Sequence, residues 1–165
     1  MAEPGPVGGA PPAKTGPAAR RDIYAVLDLL AKHVKTLSDG QQINDTYNKW
    51  LADNKDLLSK DLRVAVKQKV FVLAFTAIRP DHTAPSKADL EKFNAWLKEH
   101  PNASEEDIIL TSAYISLQGS APSDAAIERF HEAMANFKKE NGGRAPSVPE
   151  LLDLAQKSVP LPKKQ

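Results

Sequence analysis

The sequence contains no cysteine. Disulfide scaffolds, thiolate zinc sites, iron–sulfur clusters and cysteine nucleophiles are therefore excluded. Long hydrophobic runs are also missing. The longest unbroken apolar stretch, Val70 to Phe75, is far below the ~20 residues that a membrane-spanning helix needs. An excess of either charge is lacking, because 22 Lys+Arg against 21 Asp+Glu leaves a formal charge of +1. No global field advertises nucleic acid or membrane binding. The N-terminus lacks the basic patch and apolar stretch of a secretory signal, so the mature chain is expected to start near Met1 and to stay inside a cell. With 41% hydrophobic and 26% charged residues over 165 positions, the composition is that of one globular domain with a proper core.

Catalytic signatures are equally scarce. His131-Glu132 begins like a zinc-protease helix motif, but Ala135 stands where the second imidazole is needed. His33, His82, His100 and His131 lack ligand spacing, so no metal and no cofactor is expected. Gly142-Gly143 has no Lys-Ser/Thr partner for a phosphate loop, and no serine sits in a Gly-x-Ser-x-Gly elbow. Glu105-Glu106-Asp107 sits where a helix start would favour negative charge. The remaining acid–base candidate is His131 with Glu128. Two glycosylation-like triplets, at Asn44 and Asn102, read as chance matches in a chain without a secretory route. The sequence points away from an enzyme.

What is present is organised as arm, core and arm. Residues 1–19 hold five prolines, four glycines and five alanines, and Arg20-Arg21 follow. A segment so poor in large apolar side chains cannot offset its ordering entropy, and residues 1–21 are expected to be a disordered arm. Residues 158–165, with Pro160, Pro162, Lys163 and Lys164, are expected to be a basic tail. The domain between them, residues 22–157, reads as helical.

Ile23, Val26, Leu27, Leu30, Val34 and Leu37 follow one helix face, stopped at Ser38-Asp39-Gly40. Ile43, Tyr47, Trp50 and Leu51 mark a second helix that breaks at Asp53-Asn54. Residues 56–78 are ambiguous: the β-branched and aromatic middle suits a strand, whereas length and the spacing of Leu62, Val66, Val70 and Leu73 favour a buried helix. Ser86, Ser104, Ser123 and Ser147 then open four further helices, with Asp89, Asp107 and Glu150 placed to complete capping boxes. The expected fold is all-α, a single compact bundle of six or seven helices. Trp96 falls beside the Phe93–Leu97 face rather than at its centre, so it is expected at a surface or interface. Lys60, Arg63 and Lys67 recur on one side of a helix and form a basic stripe able to hold a phosphate backbone or to keep the helix solvated.

Phe93-Asn-Ala-Trp96, the acidic start Glu105-Glu-Asp107, the turn Gly119-Ser-Ala-Pro122 and the helix Phe130-His-Glu-Ala-Met-Ala-Asn-Phe137 occur in that order. The order resembles the core of potyvirus-type coat proteins of flexible filamentous plant viruses, over roughly residues 73–137. In that family a turn serine and a helix arginine help to hold RNA. Matched by position, they fall on Ala121, with Ser120 beside it, and on His131, with Arg129 nearby. The family's β-hairpin between turn and last helix has no counterpart here.

The resemblance implies a coat-like protein that self-associates through its arms in a virion or host cytoplasm and sheathes single-stranded RNA. Ser120, Arg129 and His131 would line the RNA groove, supported by Lys60, Arg63 and Lys67. Such binding would run through phosphates and ignore sequence. The competing expectation is a cytoplasmic helical adaptor that docks another protein and binds no nucleic acid.

Overall fold

The computed structural model describes residues 22–160, and its α-helices are α1 (Ile23–Lys35), α2 (Gly40–Asp53), α3 (Leu62–Ile78), α4 (Lys87–Glu99), α5 (Glu105–Gln118), α6 (Asp124–Glu140) and α7 (Val148–Ser158). A single 3-10 turn, Lys55–Leu57, joins α2 to α3. No strand occurs among the described residues. The all-α class expected from the capping signals holds. Residues 1–21, and the last five residues of the expected C-terminal tail, lie outside the described residues.

The ambiguous segment 56–78 resolves as helix α3 from Leu62 onward. From Val70 to Thr76 every residue is buried, because α3 packs against α5 and is flanked by α1, α2 and α4. A helix apolar all round is one covered on every side, which is why its periodicity reads weakly. Helix α5 is its partner, buried continuously from Ile108 to Ser116. The hydroxyls on these two helices are satisfied locally: Thr76 Oγ1 donates to the Val72 carbonyl at 2.8 Å and Ser112 Oγ to the Ile108 carbonyl at 2.9 Å. Ser116 Oγ instead donates across to the Phe75 carbonyl of α3 at 3.2 Å, a direct polar link between the two central helices.

Aromatic rings fix α4 onto this pair. Phe71 stacks on Phe93 at 4.6 Å between centroids and meets Phe75 edge-on at 5.7 Å. Trp50 of α2 donates its indole N–H to the Pro85 carbonyl at 3.0 Å, tying α2 to the loop ahead of α4. Gln68, buried on α3, is the polar counterpart. Its Oε1 accepts from the Ser59 amide at 2.8 Å, and its Nε2 donates to Asn94 Oδ1 of α4 at 3.0 Å.

Several expectations are corrected. Leu62 is 74% exposed: as the first residue of α3 it lies beyond the reach of the covering helices. Lys60 precedes the N-cap Asp61 and is in the loop, so it shares no helix face with Arg63 and Lys67. Leu37 lies past the end of α1 and is exposed. The C-terminal tail begins later than residue 158, since Ser158 ends α7 and Val159 is buried. Tyr114 Oη donates to the Ser158 carbonyl at 3.3 Å, and Gln118 Nε2 donates to that of Pro160.

Candidate functional site

Asp61 opens α3 by accepting from the Arg63 amide at 3.0 Å. Arg63 and Lys67, one turn apart, consequently project on the same side. Together they line a cleft of about 400 Å³ whose other walls are the starts of α1, at Asp22 and Ile23, and of α5, at Ser104 and Glu105. Two helix N-termini thus open toward a pair of cations. Backbone amides there favour anions, but the cleft also holds carboxylates. Asp22 is the N-cap of α1 and accepts from the Tyr24 amide at 3.3 Å, and Glu105 is buried in the first turn of α5. Among the described residues that line the cleft, formal charges balance, two against two.

Lys67 borders a second cleft of about 550 Å³, walled by Leu57, Val64, Leu97 and Pro101, with Lys98 of α4 on its lining. The two clefts share Lys67 and Pro101. Arg63, Lys67 and Lys98 therefore follow one another along adjoining depressions. Lys98 was not singled out from the sequence. Only the pairing of α3 with α4 brings it near Lys67, and no local pattern encodes that.

Ser120, Arg129 and His131 do not gather. Ser120 is exposed in the connection after α5 and lines a third cleft with Lys92, Trp96 and His100. Arg129 and His131 are both exposed on α6 and flank the buried Phe130. Two residues apart on a helix, they diverge by ~200°. His131 Nε2 lies 2.7 Å from Asp107 Oδ1, in the first turn of α5, whereas Ser120 follows the opposite end of that helix, ~18 Å away along its axis by the helical rise. Nor does His131 pair with Glu128, the partner considered from sequence. Trp96 is corrected as well: it is only 5% exposed, with its indole stacked on His100 at 4.6 Å and on Phe93 at 6.2 Å.

Two other histidines meet aspartates across elements, His82 with Asp39 at 3.2 Å and His100 with Asp124 at 3.4 Å. These contacts join loops and helix ends. Among the described residues no group of three or more His, Asp or Glu could hold a metal ion, and no helix is long and apolar enough to cross a membrane. Burial pushes the Tyr47 phenol up to about 12, consistent with a packing role. No family model, curated protein or solved structure matches the chain.

Proposed function

We propose that this protein self-associates and sheathes single-stranded RNA, gripping the phosphate backbone along α3. The observation that carries this reading is the position of Lys67, shared by two adjoining clefts with Arg63 on one and Lys98 on the other. Cations spaced along a groove suit a chain of phosphates better than one small anion. Arg20 and Arg21 directly precede Asp22, which lines the first cleft. The order of motifs shared with filamentous coat proteins supports the same reading, and the terminal segment 1–21 supplies a candidate linker between copies. Ser120 and His131 take no part in this groove.

The carboxylates of Asp22 and Glu105 keep each single contact weak. Many copies on one strand offset that weakness through effective concentration, as sheathing requires. Labelled single-stranded RNA titrated at several salt concentrations tests the proposal. Affinity is expected to be independent of sequence and to fall with a log–log slope of about −2, that is ~0.7 for each of three phosphate contacts. The double variant Arg63→Glu/Lys67→Glu is expected to bind at least about tenfold more weakly. No binding at low salt, or equal binding by the variant, would overturn the reading.

A second reading, an adaptor for another protein, draws on the exposed Leu62 and on the apolar wall of Leu57, Val64, Leu97 and Pro101. It predicts association that survives nuclease treatment and is lost in Leu97→Asp.

A further inference from the structure

Of the asparagines in the sequence, only Asn141 is followed by glycine. A glycine nitrogen carries no flanking side chain to block its approach to a neighbouring carbonyl. Asn141 is the C-cap of α6, and both it and Gly142 are exposed. A Cβ placed on Gly142 would meet nothing within 4 Å. The amides on either side donate to the Lys138 carbonyl, that of Asn141 at 3.2 Å and that of Gly143 at 2.7 Å. The Gly142 N–H between them makes no hydrogen bond among the described residues. The turn that closes α6 skips this one amide.

The peptide joining the pair is also polarised. The Asn141 backbone carbonyl accepts from the Arg144 amide at 3.2 Å. A donor at that oxygen stabilises the charge that spreads onto it when the Gly142 nitrogen gives up its proton. Lys138, Lys139 and Arg144 flank the pair in the chain, with Glu140 the single acid among them, and a local excess of positive charge favours the same anion. One contact opposes it. Asn141 Nδ2 donates to the Phe137 carbonyl at 2.7 Å, which caps an open carbonyl of α6 and holds the side chain on the helix end. Helix ends open at small free-energy cost.

We propose that Asn141 is a self-modifying site, converted to aspartate and isoaspartate without an enzyme. The Gly142 nitrogen attacks Asn141 Cγ, and the new N–Cγ bond closes a succinimide ring. The Cγ–Nδ2 bond breaks, and Nδ2 leaves as ammonia with the proton that the Gly142 nitrogen lost. Water then opens the ring. Attack at Cγ restores the normal backbone and leaves aspartate; attack at the backbone carbonyl leaves isoaspartate, with the chain running through the former side chain. Either product replaces a donor to the Phe137 carbonyl by a carboxylate at the negative end of α6, where it is repelled. The new charge also arrives close in the chain to Arg144, which lies over the Phe137 ring at 5.2 Å and holds Glu150 of α7. Competition for that guanidinium loosens the α6–α7 corner. The site uses no residue of the α3 clefts and stands apart from RNA binding.

Peptide mapping by mass spectrometry tests the assignment, on full chain aged at mildly alkaline pH in native buffer and in guanidinium chloride. In native buffer the Asn141 peptide should gain the acid and isoaspartate forms while those of Asn44, Asn54 and Asn102 stay amide. Its rate should lie within about tenfold of that in denaturant, because the helix end opens readily. An Asn141 that stays amide in native buffer while it converts in denaturant would overturn the proposal, as would faster conversion at another asparagine. The loosening is read separately in Asn141→Asp, where the Gly143 amide should exchange with solvent at least about fivefold faster than in the original chain. Unchanged exchange in that variant would overturn the claimed effect on the corner.

Discussion

His131 on α6 reaches Asp107 on α5 with Nε2 2.7 Å from Oδ1, and in doing so takes the carboxylate that would otherwise complete the Ser104 cap. The comparison is internal. Asp89 turns back to the Ser86 amide at 3.0 Å and Glu150 to the Ser147 amide at 2.9 Å, so both of those capping boxes are whole. At Ser104 the hydroxyl still accepts from the Asp107 amide at 3.2 Å, but the return half is missing. The helix start has exchanged a local bond for one that fastens α6.

From this follows an asymmetry between partners. His131→Ala removes a half-exposed pair and leaves Asp107 free to swing back to the cap, so the expected loss is less than about 1 kcal/mol. Asp107→Ala removes both the link to α6 and a first-turn carboxylate of α5, and should cost more, about 1–2 kcal/mol. Urea unfolding of the two variants measures the difference. Equal losses would mean that Asp107 does not recover its capping role.

Gly40 begins α2 directly after the α1–α2 turn, and a Cβ at that position would stand 2.2 Å from the Val34 carbonyl oxygen. Alanine normally strengthens a helix relative to glycine by ~0.5–1 kcal/mol. Here the sign should reverse, because the obstructing atom is backbone and the turn itself must open. Gly40→Ala is expected to lose at least about 1 kcal/mol, read as a lowered thermal midpoint. A stabilised variant would show that the turn yields freely.

At the α6–α7 corner Arg144 grips Glu150 with its two terminal guanidinium nitrogens, Nη1 and Nη2, at 2.8 and 3.1 Å. That bidentate contact, followed by the Ser147 amide and hydroxyl, holds the Glu150 carboxyl down at about 2, against an ordinary value of 4.5. The depressed carboxyl contributes stability above its unfolded value, and the contribution drains away as pH falls from about 4.5 to about 2. Arg144→Ala should bring the Glu150 titration back toward the ordinary range and flatten this acid-side loss. Carbon-detected titration of the Glu150 carboxyl checks it. An unchanged midpoint would place the cause in Ser147 rather than Arg144.

Legibility from sequence followed the range of the interaction. Ser86, Ser104, Ser123 and Ser147 announced their helices because a cap bonds within three residues. The stop at Gly119 was readable for the same reason, since its φ of 80° belongs to the left-handed region. Helix α3 was ambiguous because neighbours cover it on all sides and remove the polar face that would have marked its period. Leu62 shared the spacing of that helix but not its burial, and Trp96 was misjudged because its ring stacks on Phe93 and on His100, the residue that ends α4, a contact that helical spacing does not mark.

The candidate site divides in the same way. Arg63 and Lys67 were visible as a pair one turn apart, while Lys98 entered through tertiary packing alone. Ser120, Arg129 and His131 kept their order along the chain relative to the coat-protein motifs. They nevertheless ended on different sides of α6 and at opposite ends of α5. Motif order constrains sequence position; it does not by itself constrain distance.

Negative-stain microscopy of concentrated protein mixed with long single-stranded RNA, with and without ribonuclease, tests the coat-like reading most directly. The account predicts regular elongated particles that shield the RNA from digestion and that fail to form with Arg63→Glu/Lys67→Glu. Dispersed monomers beside fully digested RNA, at low salt and high protein concentration, would contradict it.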